Sequence, residues 1–262
     1  MKPGLNVSKL LKNLDLQIDE QYRGDCPICA GYNTFTATRT VNGILFNCYK
    51  AGCQLAGRQA SSIRVSDVRI LNATIDTKPF RLPSHVLLGR PEITEWINKH
   101  AYPFAKIELY YDLHENRIVF PVRYDGKLVD ATGRARNIGI RRLPKWKRYG
   151  SASYAYTVGS GPIAVVVEDA ISAAVIGGTD NEYTGIALLG TALLSTHVEQ
   201  LQAYTKILVA LDPDAYPKTL GYTRELRGTL PDSKILAVKL GDDLKYERKN
   251  DMVLIEKLSQ AF

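Results

Sequence analysis

From about residue 161 onward, short unbroken apolar runs alternate with longer segments of helical spacing. The runs are IAVVVE (163–168), GIALLG (185–190), KILVALD (206–212) and SKILAV (233–238). Between them lie DAISAAVIG, TALLSTHVEQLQAY and YPKTLGYTRELRG. Fully apolar strands joined by helical crossovers predict a parallel sheet covered on both faces. Upstream the pattern differs. PEITEWINKH (91–100) is a short helix with proline at its first position. KIELYYD and RIVFPVRYDGKLVDATGRA then read as strands, with Asp125-Gly126 as a hairpin turn, which predicts an antiparallel α+β unit. Nearer the N-terminus, residues 8–20 place Leu10, Leu11, Leu14 and Ile18 on one side of an amphipathic helix. Two β-prone stretches, 33–41 and 44–47, flank a second turn signal, Asn42-Gly43. Residues from 57 to about 79 are mostly polar and read as a linker. The expected divisions are 1–57, 58–79, 80–160 and 161–262.

The chain of 262 residues is long enough for one large domain or two modest ones. A hydrophobic content of 45% with 23% charged residues is ordinary for a globular protein. No apolar run approaches the roughly 20 residues of a membrane span, and the first residues carry no apolar core of a secretory signal. The expectation is a cytoplasmic protein with no membrane partner.

The cysteines change the picture at the N-terminal end. Cys26, Cys29, Cys48 and Cys53 are the four in the chain, and all fall within 28 residues. Two residues separate the first pair and four the second, with a hairpin between. Two thiolate knuckles joined by a hairpin form a zinc ribbon, and four sulfur ligands suit tetrahedral Zn²⁺. Two disulfides or buried free thiols are the alternatives, and the lack of an export signal disfavours the first. With four protein ligands the site is closed, hence structural.

The acidic residues suggest a second site. In an open α/β sheet the ligand lies beyond the carboxyl ends of the strands. Glu168 ends the first run, Asp212 and Asp214 end the third, and Asp242 and Asp243 follow the fourth. Like charges held that close repel, and each is costly to desolvate; a divalent cation between them removes both costs. Asp212 and Asp214, two positions apart, point to one side of an extended chain. Any one of Glu168, Asp169 or Asp214 could instead be a helix cap. Taken together, Glu168, Asp212, Asp214 and Asp242 point to a Mg²⁺ or Mn²⁺ site, because hard oxygen ligands favour these ions over zinc. Asp243 is the weaker candidate, since adjacent residues seldom face the same way.

Charge adds a partner class. The net charge is +7, and residues 117–148 carry ten Lys and Arg against two Asp. Tyr124, Trp146 and Tyr149 are interleaved with them. Such a stretch suits a phosphate backbone or a nucleoside triphosphate, with a solvated face as the alternative. Arg117, Arg134, Lys145 and Lys147 are the candidate contacts.

A strand-terminal Glu, a Gly on the next strand, then Asp-x-Asp resembles the TOPRIM domain of primases, topoisomerases and some nucleases. RIVFPV, ATGRA and PKW, between that pattern and the cysteines, resemble segments of DnaG-type DNA primases. From about residue 20 onward the chain is similar to that family, closest to the primase half of bacteriophage primase–helicases. The resemblance implies an α/β fold: a TOPRIM parallel sheet with flanking helices, preceded by a basic α+β subdomain and a zinc ribbon. It implies template-directed synthesis of short RNA primers on single-stranded DNA from ribonucleoside triphosphates, in a bacterium or infected host cell. Glu168, Asp212, Asp214 and Asp242 would hold Mg²⁺ or Mn²⁺ and the triphosphate, Arg134 and Lys145 would contact nucleotide or template, and zinc would be structural. No Walker A motif is present, so the expected helicase is a separate partner. A TOPRIM nuclease and a non-catalytic DNA-binding adaptor are the rival functions.

Overall fold

The structure is a computed structural model. It describes all residues except 1–2, 42, 62–79, 104–106, 137–142, 151–153, 180–181, 191 and 246–247. The chain divides into two compact units, Met1–Asp76 with Ala192–Ser195, and Thr77–Thr191 with Thr196–Phe262.

In the first unit, helix α1 (Pro3–Asn13) precedes four strands, β1 (Gln21–Gly24), β2 (Phe35–Thr40), β3 (Gly43–Cys48) and β4 (Ala56–Gln59). They form one antiparallel sheet in chain order. The helix ends at Asn13, earlier than its apolar spacing suggests. Leu16 and Ile18 are still buried, but from extended chain leading into β1. Val7, Leu11, Leu16, Phe35, Ala37 and Ile44 share one small core with Cys26 and Cys48. The sulfurs are thus part of the core of a unit with few other apolar residues. Asn42 of the hairpin turn lies outside the described residues, as does the expected linker from residue 62 on. Residues 58 and 59 complete β4.

The second unit carries two five-stranded sheets. One is antiparallel, in the order β5 (Val86–Leu88), β6 (Tyr110–Asp112), β7 (Arg117–Tyr124), β8 (Lys127–Ala135) and β9 (Trp146–Arg148). Asp125 and Gly126 both have positive φ, 48° and 71°, the geometry that matches a tight hairpin to strand twist. Helix α2 (Pro91–His100) buries Ile93 and Trp96.

The other sheet runs β10 (Tyr156–Gly159), β12 (Tyr183–Ala187), β11 (Ile163–Val167), β13 (Lys206–Val209) and β14 (Lys234–Ala237). Its last four strands are parallel, and β10 pairs antiparallel at one edge. Helices α3 (Ala170–Thr179), α4 (Ser195–Leu201), α5 (Tyr216–Thr229) and α6 (Arg248–Ser259) accompany it. A β-carbon on Gly185 would lie 2.0 Å from the Ala173 carbonyl oxygen, so glycine lets α3 seat directly on β12. Ile118, Phe120 and Val122 of the antiparallel sheet share a core with Val165, Val167 and Leu208 of the parallel one. That shared core fixes the two sheets relative to each other. Among the described residues no helix is long and apolar enough to cross a membrane.

Candidate metal centre and acidic edge

Two groups of side chains could hold a cation. The first is the cysteine set. Among the described residues, Cys26, Cys29, Cys48 and Cys53 are the one group of His, Cys, Asp or Glu whose donor atoms all lie within 4.8 Å of one another. The sulfurs of Cys26 and Cys53 are 3.9 Å apart and those of Cys29 and Cys48 3.7 Å. No disulfide links them. Four sulfurs at 2.3 Å from a tetrahedral centre stand about 3.8 Å apart, so the set fits zinc. Backbone bonds shape both knuckles: the Ala30 N–H donates to Cys26 O at 2.9 Å, and the Cys53 N–H to Lys50 O at 3.0 Å. The thiols compete for charge. Burial pushes Cys48 up, but the Thr34 hydroxyl, the Lys50 N–H and its thiol neighbours outweigh this and bring it to about 6. Cys53 is favoured as thiolate by the Leu55 N–H, yet burial and the other thiols push it up to about 12. Four thiolates can coexist here only around a cation.

The second group lies where the parallel strands end. Register places Val166 of β11 opposite Val209 of β13, and Val209 opposite Ala237 of β14. Glu168, Asp212 and Asp243 therefore emerge along one edge. Glu168 is half-buried, and its carboxyl is raised, first by burial and then by Asp214 and Asp169, with Lys218 and Lys245 opposing. Asp212 is raised further, to about 7, by burial and then by Asp243, Glu168 and Asp169, with Lys245 opposing. Neither carboxylate is used in a helix cap. Asp212 precedes a 3-10 turn over Pro213–Ala215 without a side-chain cap bond, and α5 also starts without one.

The extended geometry expected for Asp212-Pro213-Asp214 does not occur. Proline at the first position of a turn is preset for helical φ, so the chain bends at Pro213. Asp214 consequently stands exposed while Asp212 is half-buried.

Of the two adjacent aspartates, the sequence favours the one that the structure turns outward. Asp242 is exposed, and its carboxylate accepts the Asp243 N–H at 2.7 Å. Asp243 turns inward, accepts the Ser172 hydroxyl at 3.4 Å and pairs with Lys245. Asp251 of α6 sets this turn by accepting the N–H groups of Gly241 (2.9 Å) and Asp242 (3.1 Å). Asp169 is a helix cap, as one reading of the sequence had it: one oxygen accepts the Ile171 and Ser172 N–H groups at 3.0 Å. Its other oxygen accepts Lys245 Nζ at 2.8 Å. Lys245, absent from the sequence-derived candidates, has a side chain only 3% exposed between these two carboxylates. Only its place after the GDD turn hinted at it, because its burial depends on how that turn folds.

The basic stretch is less free than its composition suggests. Carboxylates from outside or early in the stretch neutralise much of it: Glu108 pairs with Arg123, Glu95 with Arg136, and Asp130 with Arg148. Arg117, expected to contact a nucleotide, is fully buried in β7. Its guanidinium donates to Glu115 at 2.7 Å and to the Pro144 carbonyl at 2.9 Å. In this structure Arg117 holds the segment before β9 from within the sheet, with its buried Nη2 lacking a hydrogen-bond partner. Lys147 pairs with Glu115 and lies 5.0 Å over the Tyr149 ring.

Arg134 and Lys145 have no carboxylate within 4.0 Å among the described residues. Arg134 lies 5.4 Å over the Trp146 ring, with buried Nη1 making no hydrogen bond. Lys145 is held below the usual lysine range by desolvation, then by Arg134 and Lys245; Asp169 and Asp243 oppose. These charges link the tip of the antiparallel sheet electrostatically to the acidic edge. Arg141 and Arg142 lie outside the described residues.

No family model and no curated protein matches the sequence. Among solved structures the chain is similar to the zinc-binding and RNA polymerase domains of the Aquifex aeolicus primase. Identity is 15% and the TM-score 0.46, over 97% of this chain and 82% of that one. It is also similar to a DnaG primase catalytic domain bound to single-stranded DNA (18%, TM-score 0.43, 66% and 60%). The E. coli primase catalytic core is a further neighbour (20%, TM-score 0.42, 64% and 60%). The chain thus spans about three fifths of the DNA-bound domain and of the E. coli core.

Proposed function

We propose that this chain is a DNA primase that copies single-stranded DNA into short RNA primers. The observation that carries the proposal is the acidic edge. Glu168 and Asp212 hold raised carboxyls at the ends of adjacent parallel strands, and Asp169 and Asp243 of the same edge act on Lys145, which with Arg134 forms a basic tip. Hard oxygen donors fit Mg²⁺ or Mn²⁺, and a bound ion would supply Lewis-acid stabilisation of a phosphoryl oxygen. Glu168, Asp212 and Asp214 would hold it, with Asp243 rather than Asp242 lying beside them on the edge. Arg134, whose buried Nη1 still lacks a hydrogen-bond partner, and the Lys145 ammonium would bind template or triphosphate phosphates. Trp146, stacked beneath Arg134, keeps the guanidinium plane fixed for that contact. The zinc centre would fold the N-terminal unit, and a separate helicase would present the template. The resemblance of RIVFPV, ATGRA and PKW to primase segments agrees with this assignment.

The test is incorporation of labelled ribonucleotides by purified protein on random single-stranded DNA with Mg²⁺ or Mn²⁺. Template-dependent RNA oligomers are expected. Cleavage of the DNA without synthesis would identify a nuclease instead, and neither activity would refute an enzyme of this class.

A further inference from the structure

The acidic edge already contains a cation. Lys245 Nζ lies 2.8 Å from Asp169 Oδ2 and also contacts Asp243 Oδ2. Its side chain is almost wholly removed from water. An ammonium is seldom buried without such partners. Both partners are themselves fixed: Asp169 by two N–H groups of α3, and Asp243 by Ser172 and by the Lys245 N–H at 3.3 Å. The turn bearing Asp243 and Lys245 is in turn tied to Asp251. Among the described residues Glu168, Asp212 and Asp214 have no cation within ion-pair distance: Lys245 and the exposed Lys218 act on them only from farther off. Among the described residues no three carboxylates bring their oxygens within 4.8 Å of one another. The edge is therefore divided between an end neutralised from within the chain and an end that is not.

We infer that Lys245 is a built-in cation that fills the Asp169–Asp243 end of the acidic edge, leaving the Glu168–Asp212–Asp214 end to take a single divalent ion. Two carboxylates clamped on one ammonium cannot also coordinate a second metal without releasing it. A fixed positive charge beside the remaining carboxylates also weakens the ion they bind, because like charges a few ångströms apart repel strongly in a partly desolvated site. Lys245 would thus set both the number of ions and their affinity. It acts by its charge and by occupying Asp169 and Asp243 rather than by touching the metal, and is a positioning residue. The inference rests on the metal-dependent reading above.

The experiment counts Mn²⁺ by electron paramagnetic resonance on zinc-loaded, full-length protein. Wild type is expected to bind one Mn²⁺, lost in Asp212→Asn. Lys245→Met, which keeps the side-chain length without the charge, is expected to bind a second Mn²⁺ or to bind the first at least tenfold tighter. Lys245→Arg should behave as wild type, since it keeps the charge. In wild type saturated with Mn²⁺, Lys245 should stay shielded from amine-acylating reagents. Two ions in wild type, or acylation of Lys245 on metal binding, would overturn the inference even if Lys245→Met does not fold. Unchanged count and affinity in a folded Lys245→Met would overturn it as well. No Mn²⁺ bound to wild type at all would remove the metal-dependent reading itself, and this inference with it.

Discussion

The cysteine centre and the acidic edge both gather groups that repel one another, and they handle that repulsion in opposite ways. The four sulfurs stand at coordination distance, within the core of their unit. Their spacing matches a four-sulfur shell around one ion, and no position in it is open to a substrate. The carboxylates are spread along a strand edge, half in water, with one end neutralised by a buried lysine. A closed, soft-donor set suits a structural ion, whereas an open, hard-donor edge suits an ion shared with a substrate. The difference teaches that a closed donor set suits stabilising a fold, whereas an open one leaves room for a substrate.

The largest expected effect tests the cysteine half of that comparison. Removing zinc with a strong chelator, or making Cys26→Ser, should unfold the N-terminal unit. Structural zinc contributes on the order of 10–16 kcal/mol in small domains, more than a four-stranded sheet with so few core residues can replace. Proteolysis confined to the first 60 residues, alongside elemental analysis, checks this; an intact unit without metal would show that the core suffices.

Next comes the acidic half. Asp212→Asn and Glu168→Gln should each reduce nucleotide incorporation about a thousandfold or more, several kcal/mol of transition-state stabilisation. The fold should survive, because a raised carboxyl is a destabilising one in the metal-free state. Primer-extension rates beside circular dichroism separate the two effects. Arg117→Met sharpens the contrast between burial and chemistry. Losing the buried guanidinium's bonds to Glu115 and to the Pro144 carbonyl should cost about 2–3 kcal/mol of stability, seen as a lowered denaturation midpoint, with Glu115 still paired to Lys147. Lys145→Met should leave the midpoint nearly unchanged and weaken nucleotide or template binding.

The adjacent aspartates provide a narrower comparison. Asp243→Asn should impair metal binding and incorporation at least tenfold, while Asp242→Asn should change either by less than about threefold, since only Asp243 faces Asp212 and Lys245. Equal effects would show that the turn reorganises when metal binds.

The smallest effect is on stability against pH. Asp212 has a folded pKa of about 7, above its ordinary value of 3.8. The folded state therefore holds this proton where the unfolded chain has lost it. Below about pH 4 both states are protonated and no penalty exists. As pH rises through the window from 4 to 7, metal-free protein loses stability, by a few kcal/mol at most. Urea melts in chelator should show this decline, Asp212→Asn should flatten it, and Mg²⁺ should restore stability above pH 7.

Much of this protein could be read from local pattern. Continuous apolar runs place β11 to β14, because a strand buried on both faces has little freedom in composition, and the acidic residues that follow β11, β13 and β14 mark one edge of the sheet. Asp125-Gly126 marks its hairpin because positive φ at both turn positions selects those residues. Cysteine spacing brings four sulfurs together because knuckle and hairpin geometry are local. What sequence could not settle was which side chains turn inward. Asp243 rather than Asp242 joins the edge because Asp251, on a later helix, holds the turn. Pro213 bends Asp214 away from the direction an extended chain would give it. Arg117 is withdrawn from the basic stretch by a carboxylate and a carbonyl it reaches across the sheet, and Lys245 becomes buried only when α3 and the GDD turn meet. Strand and turn preferences act over a few residues and are written in them; the direction of a charged side chain depends as well on partners farther along the chain, as Pro144 is for Arg117 and Asp169 for Lys245, which only the tertiary structure brings into reach.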